Sequence, residues 1–132
     1  MLNKKGLTLV EVLIALVVLL LVSLAMMQTA LVSIDSNMLN VLRDEAVSIA
    51  EIRMSDARNI PFDTLVPDGP IPVSTKIRTI AGGFSYTTTR AVTPFGSDNR
   101  QVTITVTWDW KENTVANGNP YTHTISTIVK RS

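Results

Sequence analysis

Cysteine is missing from all 132 residues, which excludes disulfide frameworks, Cys-ligated zinc, iron–sulfur clusters, thiol catalysis and lipoprotein acylation. Histidine occurs once, as His123, so imidazole-based metal or acid–base centres have little to draw on. Neither sign of charge is in excess: 12 Lys and Arg against 11 Asp and Glu leave a formal net charge of +1, and no strong field for nucleic acid follows. Glycine and proline are missing from the whole stretch between Leu7 and Ile60. No internal repeat or low-complexity segment is visible, and the length suits a single domain, since domains usually run to roughly 100–150 residues.

What the sequence has instead is a long apolar run at one end. Leu7 to Ile34 carries a single ionisable residue, Glu11, and Val12 to Ile34 carries none. About 20 apolar residues span a bilayer core as a helix, so the run is long enough. Lys4 and Lys5 precede it, and the positive-inside tendency keeps them cytoplasmic and sends the rest outward. Three readings compete: a secretory signal peptide, a plain membrane anchor, or something more specific. Ser23-Leu24-Ala25 could serve a signal peptidase. Against that, Glu11 sits within the apolar core, where a charge costs roughly 2.5–3.5 kcal/mol on insertion scales, and the helical pattern passes Ala25 without a break.

Helix-compatible sequence continues to about Asn59. Ile34, Met38, Leu42, Ala46 and Ile49 recur at spacings of three and four, one stripe of a helix, while Asp35, Asn40, Asp44, Glu51 and Arg58 fall mostly elsewhere. Asn59-Ile60-Pro61 ends it, because the residue before Pro is pushed out of the α region. A helix over Leu7–Asn59 would be about 80 Å long at 1.5 Å per residue, against ~30 Å for a small domain, which predicts a stalk with a head.

The remainder reads as β. Pro61, Pro67, Pro70 and Pro72, with Asp68-Gly69, predict an irregular connector over 60–72. Ile71, Val73, Thr75, Ile77 and Thr79 alternate with Ser74, Lys76 and Arg78, a first strand. Gly82-Gly83 suits a tight turn, and Phe84 to Val92 returns antiparallel. Arg100 to Trp110 is a third strand, with Val102, Ile104, Val106, Trp108 and Trp110 on one face and Gln101, Thr103, Thr105, Thr107 and Asp109 on the other. Tyr121 to Lys130 is a fourth, after a loop containing Asn117-Gly118-Asn119-Pro120. The expected fold class is α+β: a long N-terminal helix whose outer half packs against an antiparallel sheet of about four strands. Its organisation would be a leader at 1–6, a membrane-spanning half-helix at 7–34, and a head at 35–132. The head comprises helix 35–59, connector 60–72 and sheet 73–131.

Lys4-Lys5-Gly6-Leu7-Thr8-Leu9-Val10-Glu11-Val12-Leu13-Ile14-Ala15-Leu16 resembles the prepilin signature of type IV pilins and type II secretion pseudopilins. That signature is a basic leader ending in Gly, an apolar residue, Thr, two apolar residues and a Glu ahead of a long hydrophobic run. The resemblance is close over the first 30 or so residues, and the stalk-and-sheet organisation is similar throughout. Glu45-Ala46-Val47-Ser48-Ile49-Ala50-Glu51-Ile52-Arg53-Met54, followed by Arg58-Asn59-Ile60-Pro61-Phe62, looks like the PilV-type minor pilins and related minor pseudopilins.

The resemblance implies cleavage by a prepilin peptidase after Gly6 and N-methylation of the new amino terminus at Leu7. It implies partners: other pilin or pseudopilin subunits and an inner-membrane assembly platform. The chain would be a single-pass protein of the bacterial inner membrane, N-terminus cytoplasmic, before joining a periplasmic or cell-surface filament. Glu11 would pair with the Leu7 amino terminus of a neighbouring subunit, since a buried charge without a partner is costly; the bland alternative is a carboxylate that snorkels to the headgroups. Thr8 would orient the chain start, or merely fill a polar helix position. Three departures stand out: Leu7 where most of the family has Phe, Gln28 where many major subunits have a helix-kinking Pro, and the missing cysteines. The last two point away from a major subunit.

Other candidates carry less. His123 stands alone in a Thr-rich strand, Trp108 and Trp110 suit a core over the helix, and Lys130-Arg131 is too small for DNA binding. Asp98-Asn99 and Asp109 offer oxygen donors for Ca²⁺ without an EF-hand spacing. No catalytic grouping is suggested by spacing, and no cofactor is implied. The expected function is therefore a structural subunit, a minor pilin or pseudopilin of a type IV pilus or type II secretion pseudopilus. Two alternatives stay open: a secreted β-rich binding domain released after Ala25, and a pilus-tip adhesion or DNA-uptake module.

Overall fold

Leu9 begins a helix that ends only at Asn59 (α1, Leu9–Asn59), as a stretch free of helix breakers should. The computed structural model describes residues 8–131, and the chain divides into two compact units between Val41 and Leu42.

In the first unit every residue from Thr8 to Ile34 is exposed, and this stretch is long and apolar enough to cross a membrane. Its internal hydroxyls fold back onto the helix: Ser23 Oγ donates to the Leu19 carbonyl at 2.8 Å and Thr29 Oγ1 to the Ala25 carbonyl at 3.1 Å. Such bonds hide polar groups that hydrocarbon cannot solvate. Ile34, expected on the buried stripe, is 62% exposed.

The second unit has its own core. Leu42, Ala46, Ile49, Ala50, Met54 and Ala57 are buried, at spacings that keep one face of α1 inward. They cover a four-stranded sheet in the order β1-β2-β3-β4, with β1 at Asp68–Thr75, β2 at Phe84–Pro94, β3 at Asn99–Trp108 and β4 at Tyr121–Lys130. All neighbours are antiparallel. The expected α+β class is what the chain adopts. Val102, Ile104, Val106 and Trp108 form the buried face of β3, as their alternation required.

Polar bonds tie helix to sheet at one end. Tyr86 Oη donates to the Leu42 carbonyl at 3.0 Å, and Thr75 Oγ1 donates to Glu45 Oε1 at 2.8 Å. At the other end, a short 3₁₀ turn (η1, Phe62–Thr64) follows Pro61. Arg100 Nη1 donates to the Phe62 and Leu65 carbonyls at 2.6 and 2.8 Å, with its guanidinium over the Phe62 ring. Arg131 covers the same ring and pairs with Asp63.

Two strands, β1 and β3, run differently from expectation. β1 starts at Asp68, inside the expected connector, and stops at Thr75, so Ile77 and Thr79 lie in the following turn. The prolines were misleading because β1 is an edge strand, where a missing N–H is tolerated. Gly69 permits the start: its φ is +106°, and a Cβ there would lie 2.6 Å from the Thr88 carbonyl oxygen. Trp110 falls outside β3, in an isolated bridge with Asn113.

Candidate functional site

The residues singled out at the helix start are Gly6, Leu7, Thr8 and Glu11. Gly6 and Leu7 lie outside the described residues, while Thr8 and Glu11 are brought together. Thr8 immediately precedes α1 and its carbonyl accepts the first intrahelical bond, from the Val12 N–H at 3.2 Å, which makes it the N-cap. Its Oγ1 accepts from the Glu11 N–H at 3.3 Å. In return, Glu11 Oε2 accepts from the Thr8 N–H at 3.0 Å and from Thr8 Oγ1 at 3.2 Å. This is a reciprocal capping box, and it places a carboxylate at the positive end of the helix dipole.

The capping box was legible in the sequence as Thr8-Leu9-Val10-Glu11, a Thr followed three residues later by Glu at the head of an apolar run. Counting the carboxylate only as a membrane charge in need of a foreign partner missed it. Chemically, the arrangement does two things. It satisfies amide donors that a helix start would leave bare, and it holds the acceptor oxygen of Glu11 against Thr8 at the helix start. A cation at that place would meet a pre-oriented carboxylate.

The weaker candidates are dispersed. Asp98 precedes β3 and Asp109 follows it, which puts about 30 Å of extended strand between them. Asp109 Oδ1 accepts from the Val115 N–H at 2.8 Å, organising a loop. Trp108 is 4% exposed and stacks on Tyr121 with ring centroids 5.7 Å apart, a core role as expected. His123 lies opposite Val106 on the helix-facing side of β4. Its Nε2, with the indole nitrogens of Trp108 and Trp110, is buried without a hydrogen-bond partner among the described residues. Arg131 is engaged by Asp63. Tyr86, unnoticed in the sequence, has its phenol pushed above the ordinary range, first by burial and second by the nearby Glu45 carboxylate.

Residues 1–27 match the family model described as the prokaryotic N-terminal methylation motif. No curated protein and no solved structure matches the chain. The motif, with the apolar helix that begins inside it, supports a type IV pilin-like or pseudopilin subunit in general. It implies processing by a prepilin peptidase and assembly with other pilin subunits, and it suits membrane anchoring before assembly.

Proposed function

We propose that this chain is a minor subunit of a type IV pilus or type II secretion pseudopilus. It would be cleaved after Gly6, N-methylated at Leu7, and moved from the inner membrane into a filament through its apolar helix. The single observation that carries this is the juxtaposition of a methylation motif at residues 1–27 with a pre-oriented Glu11 carboxylate at the head of an apolar helical segment exposed throughout to Ile34. In this reading the leader is 1–6, the filament-core segment 7–34 and the displayed head 35–132. A minor role is favoured by Gln28 in place of a kinking Pro and by the lack of cysteine, and the PilV type by the likeness of Glu45–Met54 and Arg58–Phe62.

Assembly moves one apolar helix among others, where van der Waals packing offers little preference for one axial register over the next. A charge pair supplies it. The methylated Leu7 amine of one subunit is drawn to Glu11 of its neighbour, and Thr8 keeps that carboxylate aimed toward the chain start until the amine arrives. In low dielectric the attraction across ~4 Å far exceeds its value in water, although desolvation takes back part of it.

The test follows Glu11→Ala through processing and incorporation. The variant is expected to begin at Leu7 by N-terminal sequencing, because cleavage acts on Gly6 and the leader, yet to be missing from sheared filaments. Glu11→Gln loses the charge and fails similarly; Glu11→Asp keeps it and is milder. Entry of Glu11→Ala at the parent's level would refute the charge-pair mechanism. A chain starting at Met26 would instead establish a signal peptide and a secreted domain.

A further inference from the structure

The sheet's two edges are not alike. On β4 the Arg131 N–H donates to the Asp98 carbonyl at 2.8 Å, continuing the register that pairs Asn99 with Lys130 and Trp108 with Tyr121. Antiparallel ladders bond at alternate residues, so the odd-numbered residues of β4 are the ones bonded to β3. The N–H and C=O groups of Thr122, Thr124, Ser126, Ile128 and Lys130 therefore point away from the sheet. Among the described residues no backbone bond meets them. This edge has no proline, no register shift, and one charge, at its very end.

The β1 edge is closed by contrast. The Phe95 N–H donates to the Asn99 carbonyl at 2.9 Å, which assigns the odd residues of β2 to β3 and the even ones to β1. Ile71, Val73 and Thr75 then bond to β2, and Pro72 and Ser74 face outward. Pro72 has no N–H to offer, and a register shift distorts the strand between Asp68 and Ile71. Prolines and bulges are the usual guards of a sheet edge. One edge is guarded and the other is bare.

We propose that the free edge of β4 receives an extended, proline-free segment of a different subunit in the same assembly, as a fifth strand of the sheet; this rests on the assembly reading above. Backbone groups in a regular row recognise another backbone strand. A second copy is a poor source for it. Antiparallel pairing of β4 with itself would leave Lys130 without an acidic residue opposite, since β4 carries none. The β1 edge of another copy has the right direction, but Pro72 and the irregular start deny it a matching row. A foreign strand meets Thr122, Thr124 and Ser126 on the sheet's outer side, uncharged and suited to Thr or β-branched neighbours, and Lys130 favours an acidic residue opposite.

The full-length chain in its native membrane tests this. Ser126→Pro removes one outward donor and no ladder bond, a change that edge strands accommodate, while Ser126→Ala keeps the donor. Expected is a loss of filament incorporation of about tenfold or more for Ser126→Pro, with Ser126→Ala like the parent. Hydrogen exchange on the parent gives a second measurement: on incorporation, the amides of Thr122, Thr124, Ser126 and Ile128 should gain protection and that of Ser74 should not. A parent that enters filaments with those amides still exchanging freely overturns the β4 proposal and leaves the assembly reading standing. So does a folded Ser126→Pro that enters normally. A parent that never enters filaments overturns both.

Discussion

Tyr86 shows how much one side chain can settle. It has no exposed surface, its ring packs edge-on against Phe84 with centroids 5.0 Å apart, and its hydroxyl meets the Leu42 carbonyl. That bond fastens the first buried turn of the second unit to the middle of the sheet. Tyr86→Phe should cost about 1 kcal/mol at neutral pH, the usual net worth of such a bond, read as a lower denaturation midpoint. The pH dependence follows from the raised phenol. Burial first, then Glu45, keeps the folded phenol protonated at pH values where an unfolded tyrosine, near pH ~10, has released its proton. The unfolded state therefore binds fewer protons there, and stability present below pH ~10 is lost as pH rises beyond it. In Tyr86→Phe this alkaline loss should shrink. An unchanged alkaline limb would assign the loss to other groups. Thr8 and Glu11 teach the same lesson: their Thr-x-x-Glu spacing specifies a local hydrogen-bonded unit whatever partner is recruited later.

Among the elements, the best expectations came from strict period-two alternation. Val102, Ile104, Val106 and Trp108 could only be one face of a strand, and β3 is built so. Tyr121–Lys130 was equally legible. The start of β1 was not, because Asp68-Gly69-Pro70 carries turn chemistry and only its position at the sheet edge makes it a strand. Ile77 and Trp110 were missed for the opposite reason: alternation ran past the point where the ladder ends, and Ile77 is buried from a turn. Arg100 was beyond sequence reasoning, since its carbonyl partners at Phe62 and Leu65 are far away along the chain. It closes the turn that carries the chain from helix to sheet. Arg100→Met keeps most of the aliphatic stem and the volume but removes the donors from two carbonyls. The expected cost is roughly 2–3 kcal/mol, the range for a lost bond to a charged group together with stranded acceptors. A denaturant titration followed by tryptophan fluorescence measures it. A change within ~0.5 kcal/mol, the ordinary scale of surface substitutions, would show that the turn holds without the clamp.

At the scale of the whole molecule, the division between Val41 and Leu42 separates two kinds of physics. Before it lie side chains such as Leu13, Leu19 and Leu24, each at least half exposed, which in water would drive association and in lipid cost nothing. After it lies a unit with a buried helix face, a buried strand face and hydrogen bonds that join them. A shortened chain beginning at Ser33 discards Leu9–Val32 and keeps every buried residue of the core. It should remain a soluble monomer by analytical ultracentrifugation, with mixed helix and strand in the far-ultraviolet circular dichroism spectrum. Trp108, stacked on Tyr121 and packed near Tyr86, should give a near-ultraviolet signal that disappears cooperatively on heating, since fixed aromatic packing is what distinguishes a native unit from a collapsed one. The new helix end near Ser33 would fray, because the first turn of a helix lacks intrahelical partners for its amides. Aggregation of this shortened chain would place hydrophobic association in the second unit as well. A disordered spectrum would mean that the sheet folds only with the complete helix or with a neighbouring strand in place on β4.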